Sequence, residues 1–383
     1  MIEFKNKTIF IISYENWGKM LMSKHHYALD LAKRGNKVYF LNHPDRRKRM
    51  KRGQFRIEKT EYPGLSVVHH RMIHPYFLKF KMKWLYNWLA KIHIQMLISK
   101  VGKYPDIVWS FDAGNTLPLK YFPQSQLRIY MPVDGPFWHR EELLAAEGAD
   151  CIFSVTPQIL ARYKSLNKPM LQINHGVADD FLKNHNGAIK KELIRVGYSG
   201  SLVRSDLDTE AFLKIIKSHP QMQFDFWGEY DLHNSTIHLP QDVSEEAKNF
   251  LATLPTLPNV KLHGPVDPSE LAKGLGQMDA LIIAYRIKNA QNSHKVLEYL
   301  GTGKVIVSSH FSHYENHPEL IEMVSSKEDN DLLPELFDEV IGNLDHYNSH
   351  EKQELRRSYA NNCSYSKNIA RIEDFVNSIT EKN

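Results

Sequence analysis

The sequence predicts an α/β protein of two doubly wound domains, each with a mostly parallel sheet. Three observations predict it. The chain has 383 residues, too many for one ordinary core and well suited to two. Its first forty residues run short apolar strand, polar loop, helix, glycine, short apolar strand, which opens a sheet covered by helices on both faces. The same grammar restarts near residue 193 and is clearest over residues 279–308, DALIIAY followed by SHKVLEYLGTGKVIVSS.

In the N-terminal half, residues 8–12 read as the first buried strand, 13–18 as a loop, 19–33 as a helix closed by Arg34-Gly35-Asn36, and 37–41 as the second strand. Gly18 stands alone after the first strand, so the glycine-rich dinucleotide fingerprint is missing and a nicotinamide-binding domain is disfavoured here. Further strands are expected at 106–111, 128–132, 150–156 and 170–173. Two of these runs open on an acid, Asp106 and Asp150. Asp134 follows the strand at 128–132 in the run Val-Asp-Gly-Pro-Phe, where a carboxylate is either a general base or a turn former.

Residues 181–192 are polar and read as a linker, after Gly176 supplies backbone freedom. The second domain spans 193–362, with strands at 193–198, 223–227, 259–263, 281–284 and 305–307. Residues 230–258 form a longer insertion. Helices are expected at 208–217, 268–276, 294–302, 318–324, 332–344 and 350–361. Residues 363–383 form a last segment whose helix, 367–380, crosses back to the first domain, leaving 1–180 as the N-terminal domain.

The stretch at 279–308 carries the chemistry. Ser293 is a suitable N-cap, and Gly303 suits the left-handed residue that ends the helix. The helix start lies at the carboxyl end of a strand, where open α/β sheets bind ligands. Free N–H groups there favour an anion such as a diphosphate. Lys295 adds a charge in the first turn, and Glu298 follows on the same face, where a carboxylate can accept hydrogen bonds from ribose hydroxyls. Taken alone, the pair also fits a helix with a solvated Lys–Glu bridge.

These residues resemble the nucleotide-sugar site of GT-B glycosyltransferases of the family 4 (group 1) set, in which Lys-x-x-Glu-Tyr is followed by Ala/Gly-x-Gly-Lys. Lys295, Glu298, Tyr299, Gly303 and Lys304 match in position. The resemblance implies two Rossmann-like domains facing across a cleft, with a nucleoside diphosphate sugar, a UDP-sugar first among them, held by the C-terminal domain and the acceptor by the N-terminal one. It implies donor contacts from Gly200, Arg204, His263, Val266, Ser293, Lys295 and Glu298. It implies acceptor-side residues Glu15, His25 and His26, and Asp134 as the base of an inverting reaction. Two departures stand out: Ala290 occupies the place of a second acid, and Asp206 that of a common lysine. No Asp-x-Asp motif follows a strand in the way metal-dependent sites need, since Asp206-Leu-Asp208 opens a helix, so no metal and no cofactor is expected.

The activity implied is glycosyl transfer to a hydroxyl of a saccharide or lipid-linked acceptor in bacterial surface polysaccharide or glycolipid synthesis. A sugar-nucleotide epimerase of the same fold, or a non-catalytic nucleotide-sugar-binding subunit, is the alternative.

Composition sets the surroundings. With 42% apolar and 24% charged residues the chain is an ordinary globular one, and a net charge of +5 is too small to argue for nucleic acid. The two cysteines, Cys151 and Cys363, give neither metal-ligand spacing nor a disulfide framework, which fits a reducing compartment. Residues 9–12 are too short for a signal-peptide core, and no apolar run approaches the ~18–20 residues that span a bilayer. A cytoplasmic protein is expected, with one qualification. Residues 46–56 hold seven basic side chains, and residues 77–96 alternate Phe, Trp, Leu and Met with lysines at helical spacing. That pattern describes a helix packed on the sheet or a surface that rests on an anionic membrane.

Overall fold

A computed structural model describes residues 2–18, 21–47, 49–133, 139–183, 193–230, 243–286 and 292–380. The chain divides into two compact units, residues 1–174 with 365–383, and residues 175–364.

The first unit is built on eight strands: β1 (Thr8–Ile12), β2 (Lys37–Leu41), β3 (Phe55–Lys59), β4 (Leu65–His70), β5 (Ile107–Ser110), β6 (Leu127–Tyr130), β7 (Cys151–Ser154) and β8 (Met170–Gln172). They lie in the order β3-β4-β2-β1-β5-β6-β7-β8. All pairs are parallel except β3 with β4. β1, β5 and β7 are buried along their whole length, which is why they read as continuous apolar runs rather than alternating ones.

The second unit holds β9 (Arg195–Ser199), β10 (Gln223–Trp227), β11 (Val260–Gly264), β12 (Ala280–Ile283), β13 (Val305–Ser308) and β14 (Glu322–Met323). Their order is β11-β10-β9-β12-β13-β14, all parallel. The helix His294–Thr302 joins β12 to β13 and ends at Gly303 in the left-handed conformation.

The acids that precede strands have one shared use. Asp106, before β5, accepts from the Thr8 N–H at 2.7 Å. Asp150, before β7, accepts from the Arg128 N–H at 2.8 Å. Asp279, before β12, accepts from the Arg195 N–H at 2.8 Å. Each carboxylate satisfies an N–H on the neighbouring strand and so pins the register.

The last helix, Tyr365–Thr380, belongs to the first unit. Tyr365, Ile369, Ile372 and Val376 share a core with Phe4 and Tyr27, and Asn377 Oδ1 accepts from the Ile2 N–H at 2.6 Å. Residues 175–183 belong to the second unit: Val177 bridges Ser364 and Phe181 is buried in its core. The expected linker falls largely on residues 184–192, outside the described residues.

Four local expectations change. The first helix begins at Ser23 rather than residue 19. Within the region read as a basic loop lies the start of β3, whose partner β4 was not anticipated. Residues 318–324 carry β14, not a helix, because Glu322 and Met323 pair with β13. The segment 77–96 breaks at Met82 into Leu78–Lys81 and Lys83–Val101. Its inward face is Tyr86, Ala90, His93, Ile94 and Leu97, while Trp84 and Trp88 point outward. The aromatic stripe is therefore not the packing stripe.

Candidate functional site

The carboxyl ends of β9, β10 and β11 are laced together by backbone. The Gly200 N–H donates to Trp227 O at 2.7 Å, the Leu202 N–H to Glu229 O at 2.8 Å, and the Gly228 N–H to Gly264 O at 2.9 Å. Gly200 has φ +145° and Gly228 φ +130°, conformations that side chains resist. A Cβ on Gly228 would run into the Gly200 carbonyl, and one on Gly200 would displace the Lys295 ammonium. The two glycines thus let a lysine reach the floor of the site.

Lys295 stands in the first turn of the helix His294–Thr302 and is 6% exposed. Its Nζ donates to the Tyr285 hydroxyl at 2.7 Å and lies 5.2 Å from the Tyr198 ring centre. Among the described residues no carboxylate pairs with it. A buried cation whose partner is a phenol retains most of its attraction for an anion. Ser293, the N-cap, makes no side-chain bond to its own helix; its carbonyl accepts from the Val296 N–H at 3.1 Å, and a helix start without a side-chain cap is suited to an added anion.

Glu298 lies one turn further on, half-buried, with no hydrogen-bond or ion-pair partner among the described residues. Burial pushes its carboxyl up to about 7, against the pull of the Lys295 charge. Tyr299, adjacent, points into the core, where its hydroxyl accepts from the Ser199 N–H at 2.7 Å and so holds the end of β9 against the helix.

Arg204 is differently placed from the expectation of a phosphate ligand. Its guanidinium is bound on both sides by Asp206, at 2.7 and 2.5 Å, and lies over the Tyr285 ring at 4.9 Å. Burial works against the Asp206 charge, but the Arg204 hydrogen bonds outweigh it and hold its pKa low. Asp208 caps the helix Thr209–Ser218 through the Ala211 N–H. Both acids of the Asp206–Asp208 pair are therefore engaged locally.

His263, expected near a nucleotide base, is bound at 2.6 Å to Asp225, which is fully buried and also takes Arg195. Its ring stacks on Trp227 at 4.6 Å. These contacts give His263 a structural role on β11. Val266 is half-buried against the core of the unit. His175 packs edgewise on His294, beside Ser293.

In the first unit, Glu15 pairs with the buried Lys24, whose ammonium lies over the Tyr14 ring at 4.1 Å. His25 is buried, stacked on Phe40 at 4.8 Å. Its Nδ1 accepts from the Met22 N–H at 2.9 Å and its Nε2 donates to Asn16 O at 3.2 Å. Burial, helped by the Lys24 charge, brings its pKa down to about 3. Both nitrogens are used by the backbone, so His25 fixes the loop after β1. His26 stacks on Tyr365 at 4.9 Å. Asp134 and Ala290 lie outside the described residues.

Sequence reasoning missed Tyr285, which organises both Lys295 and Arg204 from the residue pair after β12. It also missed His43 and Asp112, which follow β2 and β5 at their carboxyl ends. Burial and the Arg46 charge lower the His43 pKa, and the Asp112 charge opposes them. The position of each just past a strand end was the available signal.

No protein-family model and no curated protein matches this chain. Solved structures do. A sucrose-phosphate synthase from Thermosynechococcus elongatus superposes with a TM-score of 0.69 at 12% identity, covering 98% of this chain and 100% of that one. A glycosyltransferase from Rickettsia africae gives 0.66 at 12%, over 99% and 100%. Anabaena HepE, solved with UDP and glucose, gives 0.66 at 11%, over 96% and 99%. At such identities the likeness is one of fold, and the fold is GT-B: two α/β units, one on a mostly parallel sheet and one on a parallel sheet.

Proposed function

We propose that this GT-B chain is a glycosyltransferase that takes a sugar from a nucleoside diphosphate donor, with UDP as the first candidate. The observation that carries the reading is the Lys295 ammonium, nearly buried, unpaired with any described carboxylate, at a helix start without a side-chain cap, beside Gly200. That arrangement supports charge developing on a leaving diphosphate. Glu298 is assigned to the ribose hydroxyls. Anabaena HepE binds UDP and glucose, which supports the same class of donor here.

In the reaction, an acceptor hydroxyl oxygen attacks the anomeric carbon and the bond from that carbon to the diphosphate oxygen breaks. The diphosphate leaves with the bonding electrons, and the hydroxyl proton passes to a base. Asp134 is assigned that base for an inverting course, and the loops after β1, β2 and β5 are assigned to the acceptor. A lipid-linked or surface-polysaccharide saccharide is the acceptor class we favour. Arg204 and His263 are assigned positioning parts, since Asp206 and Asp225 hold them.

The test is a thermal-shift screen of the full chain against UDP, GDP, ADP, CMP and dTDP, with Lys295→Ala and Glu298→Ala alongside. A nucleotide at about 100 times its dissociation constant adds about 2.7 kcal/mol of stability. The reading expects one nucleotide to stabilise the parent and both variants to lose the effect. A parent that responds to none, or variants that respond like the parent, would overturn it. Conversion of a donor sugar nucleotide to its epimer without an acceptor would reassign the same site to isomerisation.

A further inference from the structure

The outward side of the segment after β4 is unlike the rest of the surface. Trp84 is 70% exposed and Trp88 58%, with Phe77 and Phe80 also more than half exposed. The helix Lys83–Val101 does not need these rings for its own packing, because Tyr86, Ala90, Ile94 and Leu97 already fill the sheet-facing side. A helix whose first two turns are apolar on both sides, with Trp84 and Trp88 exposed on the outer one, is built for a second apolar neighbour there.

The charge around this face has one sign. No Asp or Glu occurs from residue 62 to residue 105, and none from 46 to 56, where seven of eleven residues are basic. The two stretches meet in the fold. The Arg46 guanidinium lies over the Tyr76 ring at 4.2 Å, and Arg71 donates to Met50 O at 2.6 Å. A Cβ on Gly53 would sit 3.5 Å from the Met96 methyl. Lys79 and Lys83 turn to Glu141, while Lys81, Lys91, Arg46, Arg47, Arg49 and Lys51 are exposed.

We propose that the first unit docks on an anionic bilayer surface, with Phe77, Phe80, Trp84 and Trp88 at headgroup depth and the basic loop 46–56 against the lipid phosphates. Aromatic rings interleaved with lysines suit the interface, where ring and ammonium lie at neighbouring depths. Among the described residues no helix is long and apolar enough to cross a membrane, so the segment lies along the surface. A protein partner would have to bring its own acids to a face where Glu141 is already taken by Lys79 and Lys83. A nucleic acid would leave the tryptophans of a regular helix, spaced four residues apart, poorly placed for successive bases. The donor-site reading plays no part in this inference, and vesicle binding and nucleotide response can fail independently.

The experiment is flotation of the full chain with phosphatidylcholine vesicles, with and without phosphatidylglycerol as about a third of the lipid. Binding is expected to the anionic vesicles and to fall at high salt. The Trp84→Ala/Trp88→Ala double variant should weaken it about tenfold or more. Arg46→Glu/Arg47→Glu/Arg49→Glu should weaken it roughly a hundredfold, at about fivefold for each basic residue lost. Trp84, Trp88, Arg47 and Arg49 are exposed and Arg46 gives up its contact with the Tyr76 ring, so both variants are expected to fold, with the loop variant melting slightly below the parent, and the loop variant tests the proposal separately from the helix. Failure to float with anionic vesicles would overturn it. So would flotation indifferent to both sets of substitutions, or self-association or oligonucleotide binding that the same substitutions abolish in place of it.

Discussion

Replacing Glu298 by Gln tests the candidate site through one proton. The unfolded carboxyl titrates near 4.5 and the folded one at about 7. The folded protein therefore holds this proton more tightly. Below the unfolded value both states are protonated and there is no cost. As pH rises to about 7 the cost grows, and above it the full difference applies, roughly 3 kcal/mol at 1.36 kcal/mol per pKa unit. Glu298→Gln should accordingly melt higher than the parent at about pH 8, with the gain fading towards pH 4.5. Nucleotide binding should move the other way. If ribose hydroxyls need the ionised carboxylate, parent affinity rises about tenfold between pH 6 and pH 8, close to 1.4 kcal/mol, as the fraction of carboxylate grows. The nucleotide's own phosphate titrates near pH 6, but that ionisation is common to parent and variant and cancels in their ratio. Calorimetric titration of UDP into both proteins at the two pH values gives that ratio. Parent and variant with the same pH dependence of affinity, or a variant no more stable than the parent at high pH, would refute the placement of Glu298.

Three further outcomes follow from contacts already described. Gly200→Ala places a methyl 2.8 Å from Lys295 Cε at φ +145°, so it should cost about 1–3 kcal/mol in urea unfolding and abolish the nucleotide-induced thermal shift; an unaltered shift would show that Lys295 does not need this floor. Asp225→Ala strands Arg195 and His263 and should cost about 3 kcal/mol, read as a lowered urea midpoint with unchanged slope. His25, and His70 at the end of β4, which is buried with its ring nitrogens on Asn42 O at 3.0 Å and His93 at 2.9 Å, are held by burial at about 3 and about 4, below the unfolded 6.5, so stability is full above pH 6.5 and lost as pH falls. Near pH 5 each contributes a loss of roughly 2 kcal/mol, and neither imidazole should titrate above that pH by NMR.

Much of this was legible in the sequence because the signals are local. A strand buried on both faces shows as an uninterrupted apolar run, as in β1, β5, β12 and β13. Gly303 announces a left-handed helix end, and the three-residue spacing of Lys295 and Glu298 places both on one side of the first turns. Turn chemistry and period belong to neighbouring residues, so no distant part of the chain has to be known. Tertiary structure alone decided the rest. The segment 77–96 carries apolar residues on two sides, and periodicity cannot say which side meets the sheet; the register of packing chose Tyr86, Ala90 and Ile94 and left Trp84 and Trp88 outside. Partner choice was likewise hidden. Asp225 takes His263, 38 positions on, and the Lys295 ammonium donates to the Tyr285 hydroxyl and lies over the ring of Tyr198. A charge's worth depends on what else is buried beside it, and that is settled by residues tens of positions away in the chain.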